Sequence, residues 1–226
     1  MSLSDRAVMA IDEVVAAREL QDHPFMLAWS GGDLSRDDLR AFAGQFFHLV
    51  DALPRCVSRI HASTADVRLR RPLVGILTAL DGQPPTPADL WLQTCASLGL
   101  FSDSVRSAPI AAGAEQCLFA LSRVASSGPV EGLAALYALL RGMPVICRLQ
   151  REALNAHYGM HGGPGLAFFD SFGYQADAHT RTLRELLTLT IDSEAATFAA
   201  QSAANEALDA FSTLLSTAVH APLATV

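Results

Sequence analysis

Apolar residues recur at intervals of three and four along almost the whole chain, and this spacing restricts the fold more than any other feature. Such spacing places apolar side chains on one face of an α-helix, whereas a β-strand needs strict alternation of apolar and polar residues. No convincing alternating run occurs in the 226 residues. The sequence therefore predicts an all-α protein. We expect a compact bundle of seven to nine helices, formed by a single domain over residues 1–226 with a C-terminal tail at about 220–226.

Capping residues and helix breakers set the predicted boundaries. Ser35, followed by Asp38, is typical of an N-cap, and Thr86 is a second predicted cap. Pro54 lies inside one predicted helix and Pro144 inside another, and each is expected to cause a kink. The predicted helices cover about residues 4–21, 24–31, 35–61, 65–80, 87–98, 113–126, 129–158, 165–192 and 194–219, with a loop and a turn of helix at 101–112.

Charge and composition exclude several classes of function. The chain has 16 basic and 23 acidic residues, so its formal charge of -7 has the wrong sign for binding phosphate backbones. All basic residues are arginine, which excludes a Schiff-base or P-loop lysine. No signal peptide and no uninterrupted apolar stretch of about 18 residues is evident. We therefore expect a cytoplasmic protein with a small-molecule ligand and neither a nucleic-acid nor a membrane partner.

Half of the residues are hydrophobic and only 17% are charged, which leaves apolar surface for a subunit interface. We expect a homodimer, or pairing with a homologue. The four cysteines are isolated from one another in the sequence and do not form a Cys-x-x-Cys motif. They are predicted to be buried free thiols; these residues are Cys56, Cys95, Cys117 and Cys147.

Several short motifs follow one another in a recognisable order. They are His-Pro-Phe at 23–25, Gln-Phe-Phe-His at 45–48, Leu-Gly-Leu at 98–100, Gly-Leu-Ala-Ala-Leu-Tyr at 132–137, Met-Pro at 143–144, His-Tyr-Gly at 157–159 and Phe-Phe at 168–169. In this order they resemble the heme-oxygenase-like fold from about residue 20 to 215. The chain is most similar to the branch that contains pyrroloquinoline-quinone synthase C, the death-domain-associating di-iron oxygenases and the TenA thiaminases.

The resemblance implies a di-metal site whose ligands are largely lost here. The glutamate expected in the Leu-Tyr-x-x-Glu turn is replaced by Leu140, and the ligand set after Phe-Phe becomes Phe172, Ala176 and His179. Asp81 could replace a further glutamate. Too few ligands remain to hold a pair of irons, so we predict no metal and no cofactor.

Helical spacing predicts two facing stripes at this position. If they face each other, they form an apolar pocket in which Tyr137 and His179 are the candidate catalytic residues. The predicted ligand-binding residues of the pocket are Leu140, Cys147, Phe172 and Ala176. The alternative is that the pocket has closed and that Leu140 and Phe172 are core residues.

A third stripe carries His48 and Arg55 on one helix face. His48 is a further catalytic candidate, and Arg55 is a candidate for binding a ligand carboxylate. The alternative is a set of hydrogen-bonded polar groups at the edge of the bundle.

Three hypotheses on function follow. The first is a metal-independent small-molecule-binding protein of the quinone-synthase or TenA type, acting as a cofactor-free oxidase on a small aromatic or carboxylated metabolite. The second is a non-catalytic binding protein or a partner subunit of an active homologue. The third is a di-iron oxygenase with displaced ligands. Whether the protein is an enzyme stays open, and an oxidoreductase is expected if it is one.

Overall fold

The computed structural model describes residues 3–218, and the regular structure among them is entirely helical. This confirms the all-α prediction; the predicted tail at 220–226 lies outside the described residues. The elements are α1 (Leu3–Ala16), a 3-10 helix (Leu20–Asp22), α2 (Pro24–Gly31), α3 (Arg36–Ala62), α4 (Val67–Asp81), α5 (Pro87–Ser97), α6 (Ser102–Ser107), α7 (Ala112–Ser127), α8 (Pro129–Arg141), α9 (Met143–His157), α10 (Pro164–Thr190) and α11 (Glu194–Thr217).

The eleven α-helices of the described residues exceed the seven to nine expected, for two reasons. The predicted loop at 101–112 contains the short helix α6. The predicted helix 129–158 is interrupted at Gly142, so that α8 and α9 are separate elements. Pro144 in the first turn of α9 has no backbone N–H to donate to α8, which favours a break at this point over a continuous kinked helix.

The predicted caps of α3 and α5 are confirmed as reciprocal hydrogen bonds. The Asp38 backbone N–H donates to Ser35 Oγ at 3.1 Å, and the Ser35 backbone N–H donates to Asp38 Oδ2 at 2.8 Å. Thr86 and Asp89 form the same arrangement before α5. These caps satisfy backbone donors that a helix start leaves free.

Aromatic side chains from α3, α5 and α10 form the centre of the core. The Phe46 and Trp91 rings lie 4.7 Å apart between centroids, and Phe168 stacks on Phe172 at 4.9 Å. The Trp91 indole N–H donates to the Ala43 carbonyl at 2.8 Å, so the large ring is buried without losing its hydrogen bond. The Trp91 ring also lies 4.8 Å from the Phe168 ring, so these contacts join α5 to α3 and α10.

The segment Pro129–His157 is apolar and long enough to cross a membrane by composition alone, and it is the one such segment within residues 3–218. It comprises α8 and α9, and about two thirds of its apolar window is buried inside the bundle. Leu133 and Tyr137 are completely buried, for example. Packing in the core therefore accounts for the apolar character of this segment.

Candidate functional site

The space at the centre of the expected pocket is nearly filled by side chains. A cavity of about 20 Å³ remains between Leu140 of α8 and Phe172 of α10, which is room for about one water molecule. Its walls are apolar and consist of Phe46, Leu49, Leu53, Leu139, Leu140, Met143, Phe172 and Phe211. The geometry matches the alternative in which Leu140 and Phe172 act as core residues.

The residues at the expected metal positions do not fit a di-metal centre. Leu140, Phe172 and Ala176 have no donor atoms in their side chains, and Asp81 is exposed at the end of α4. Across residues 3–218, no three His, Cys, Asp or Glu side chains are grouped so that they could hold an ion. His179 alone would be a poor site, because two irons need several carboxylate and imidazole ligands.

Cys147 lies where α9 and α10 approach each other closely. A Cβ added at Gly173 would be only 3.1 Å from the Cβ of Cys147. Burial raises the pKa of the Cys147 thiol to about 12, so the reactive thiolate is disfavoured. All four cysteines are buried and free, which confirms their predicted state.

His179 is buried on α10, where its Nδ1 has no hydrogen-bond partner among the described residues. Burial lowers the pKa of its imidazole, so the neutral ring is favoured. Ala176, one turn earlier, is also completely buried. His179 thus combines this unpaired ring nitrogen with a buried position.

The Tyr137 hydroxyl is hydrogen-bonded to charged side chains of α1 and α10, and Tyr137 does not line the central cavity. Its hydroxyl donates to Asp12 Oδ1 at 2.5 Å and accepts from Arg184 Nη1 at 3.0 Å. Arg184 also donates to Asp12 Oδ2 at 2.6 Å, and Arg141 Nε lies 3.9 Å from Asp12 Oδ1. We call these four residues the Asp12 cluster. Burial raises the pKa of Tyr137 and Asp12 adds to this effect, while Arg184 opposes it.

Three members of the Asp12 cluster were not predicted as site residues. These are Asp12, Arg141 and Arg184. Asp12 is separated from Tyr137 by 125 positions and from Arg184 by 172. No local spacing could connect them, because only the packing of α1 against α8 and α10 brings them together.

A cleft of about 230 Å³ adjoins this cluster, and Asp12 and Arg141 form part of its wall. We call it the Asp12 cleft. Its other lining residues are Val15, Ala16, Arg18, Glu19, Leu20, Gln21, Ala138, Gly142, Val145, Ile146 and Leu208. It is about ten times larger than the central cavity and is open to solvent.

His48 and Arg55 lie on α3, away from the Asp12 cleft. Arg55 is exposed and donates to Asp51 at 2.8 Å, as expected for a polar group at the edge of the bundle. His48 is half-buried, and its Nε2 has no hydrogen-bond partner within residues 3–218. Burial lowers the pKa of His48, although Asp51 partly opposes this.

The TENA/THI-4/PQQC family matches residues 13–220 of this chain, which is most of its length. The chain belongs to this family. This chain is also similar to a 4-aminobenzoate synthase of Nitrosomonas europaea, 29% identical over 170 residues, or 70% of this chain and 69% of the relative. A 4-aminobenzoate synthase of Chlamydia muridarum is 24% identical over 180 residues, or 79% of this chain and 76% of the relative.

Solved structures confirm the heme-oxygenase-like fold. A domain with that fold from Shewanella denitrificans aligns with a TM-score of 0.77 at 14% identity, covering 96% of this chain and 90% of the domain. A TenA homologue from P. horikoshii aligns with a TM-score of 0.75 at 13% identity, covering 97% of this chain and 99% of its own. At these identities the likeness concerns the fold alone.

Proposed function

We propose that the protein is a metal-independent enzyme of small-molecule metabolism, an oxidoreductase whose substrate or product is a small aromatic carboxylate. The observation that carries the proposal is the buried Tyr137 hydroxyl, held between Asp12 and Arg184 beside an open cleft. The names of the relatives support the compound class, because 4-aminobenzoate is an aromatic carboxylate.

The cluster has the arrangement needed to move a proton. Tyr137 is neutral at physiological pH, as an ordinary tyrosine is, burial raises its pKa further, and its hydroxyl donates to Asp12. Asp12 lines the cleft, so its carboxylate can exchange a proton with a bound molecule while the Tyr137 hydroxyl donates a hydrogen bond to it. Arg184 bonds to both partners and stabilises negative charge on either one. His179, which is buried on α10, is the second proposed proton carrier.

A second candidate function is a non-catalytic binding protein or partner subunit. It is favoured by one observation, the central cavity of about 20 Å³, which is too small to hold a substrate. The enzyme hypothesis then depends on the Asp12 cleft, and the two functions differ in whether turnover occurs.

Growth of a bacterial strain that cannot make its own 4-aminobenzoate tests the enzyme hypothesis. We expect the protein to support growth without added 4-aminobenzoate. Tyr137→Phe should lose this activity, because it removes the hydroxyl that contacts Asp12 and Arg184 and leaves the ring in place. Tyr174→Phe is the matched control, since Tyr174 is 80% exposed. Failure of the folded wild-type protein to support growth would exclude 4-aminobenzoate synthesis and favour the second candidate.

Metal content is measured on the same protein, purified from cells supplied with iron and manganese. We expect much less than one equivalent of either metal, because three of the expected ligand positions carry the apolar side chains of Leu140, Phe172 and Ala176. One or more equivalents, together with loss of growth after chelation, would contradict metal independence.

A further inference from the structure

We propose that the Asp12 cleft binds a small aromatic carboxylate, and that the Arg141 guanidinium pairs with the carboxylate of this ligand. This inference rests on the proposed function for the compound class, but its geometric basis is independent of turnover. It also assigns a binding role to Arg141, which is not among the site residues predicted from the sequence.

The cleft is large enough to hold a single ring. Ligand pockets for drug-sized molecules are about 300 to 1,000 Å³, and the Asp12 cleft is about 230 Å³. Buried side chains of α9 and α11, Ile146 and Leu208, contribute an apolar surface. Such a surface suits the face of a ring, while the polar part of the ligand needs a partner on the wall.

The charges around Asp12 supply that partner. Arg184 is hydrogen-bonded to Asp12 at 2.6 Å, whereas Arg141 lies 3.9 Å away, beyond hydrogen-bond distance. Two guanidinium groups therefore share one carboxylate. Because a guanidinium has five N–H donors, Arg141 can donate two hydrogen bonds to a second carboxylate in bidentate geometry.

The other charged residues of the cleft are already engaged. Arg18 is ion-paired with Asp209 of α11, and Glu19 accepts a hydrogen bond from Gln21 at 2.7 Å. Arg141 is thus the lining cation best placed to receive an anion. A carboxylate bound to Arg141 puts the attached ring beside Asp12, which accepts a hydrogen bond from the Tyr137 hydroxyl.

Calorimetric titration with benzoate and with uncharged benzamide tests this assignment. We expect benzoate to bind more tightly than benzamide, and Arg141→Gln to weaken benzoate binding about tenfold, as expected for loss of one charge-assisted pair. Arg148→Gln is the matched control, because Arg148 is an exposed arginine of α9 whose ion pair is with Glu152. This control should leave benzoate affinity unchanged.

Methyl NMR of isoleucine-labelled protein locates the bound molecule. Benzoate should shift the Ile146 resonance and leave that of Ile76 in α4 unchanged. If Arg141→Gln does not fold, Val145→Trp fills the same cleft and should weaken binding equally. Unaltered benzoate affinity in a folded variant, no measurable benzoate binding by the wild type, or a shift confined to Ile76, would overturn the assignment.

The two proposals fail separately. Benzoate binding that depends on Arg141, without growth in the 4-aminobenzoate assay, would refute synthesis and leave the site intact. Growth together with benzoate affinity that does not depend on Arg141 would refute the site and leave the proposed function intact.

Discussion

At the scale of single residues, a buried polar atom without a hydrogen bond reduces stability, and such atoms in native proteins call for an explanation. His179 Nδ1 is such an atom. A leucine would fill this apolar part of α10 without the desolvation cost of the imidazole. Replacing His179 by leucine therefore tests both its cost to stability and its proposed role as a proton carrier.

We expect His179→Leu to raise the free energy of unfolding by about 1 kcal/mol at neutral pH and to abolish growth in the 4-aminobenzoate assay. The effect on pH dependence follows from the lowered pKa of His179. Above the unfolded pKa of about 6.5, the His179 ring is neutral in both the folded and the unfolded protein. As the pH falls toward the lower folded pKa, the unfolded protein binds the proton first, and the folded protein loses stability. Urea unfolding at about pH 7.5 and about pH 5 should show a smaller acid loss in the variant.

His161→Leu is the control for this measurement, since its ring is exposed on the loop between α9 and α10. It should leave both growth and the acid loss unchanged. Normal growth with His179→Leu would contradict the catalytic role, and an unchanged acid loss would contradict the effect of burial.

At the scale of helices, glycine positions separate local preference from close packing. Gly132 of α8 faces α3, and a Cβ added there would lie 2.5 Å from Ile60 Cγ1 and 3.4 Å from the Ala125 Cα. Gly75 lies on the exposed side of α4, and a Cβ added there has no neighbour within 4 Å. The same substitution should therefore have opposite effects in the two helices.

We expect Gly132→Ala to lower the free energy of unfolding by about 1 to 2 kcal/mol, because the cost of overpacking exceeds the gain in helix propensity. Gly75→Ala should raise it by about 0.5 to 1 kcal/mol, since only the propensity changes. Chemical denaturation of both variants checks the pair. A stabilised Gly132→Ala protein would show that α8 can move away from α3 at little cost.

At the scale of the whole molecule, apolar surface remains after the bundle has formed. Phe119 of α7 and Phe198 of α11 are 71% and 73% exposed. Between these helices Arg123 pairs with Glu206, and Phe198 lines the same shallow groove as this ion pair. Large exposed aromatic side chains are typical of subunit interfaces.

We expect light scattering to give twice the chain mass of 24.0 kDa, in keeping with the predicted homodimer. Replacing Phe119 and Phe198 together by serine should reduce the mass toward that of one chain. Phe101→Ser is the control, because Phe101 is similarly exposed but lies at the start of α6, outside the two helices of the proposed interface. A wild-type mass of a single chain would contradict the predicted homodimer.

Most of the helices could be predicted from the sequence, because their signals are local. The capping pair Ser35 and Asp38 is three residues apart, and the apolar spacing that defines a helix face extends over a few turns. The sequence also placed Leu140, Phe172 and Ala176 on helix stripes that face the core, but it left open whether they line a ligand pocket or fill the core.

Only the tertiary structure decided the candidate site. Side-chain packing leaves little space between Leu140 and Phe172. Tyr137 is hydrogen-bonded to Asp12, 125 positions away in the sequence, and to Arg184, 47 positions away. Hydrogen bonds of this kind depend on which helices become neighbours, and that choice results from packing of the whole core. A sequence pattern reports the face of a helix on which a residue lies, but the partner on that face is a property of the fold.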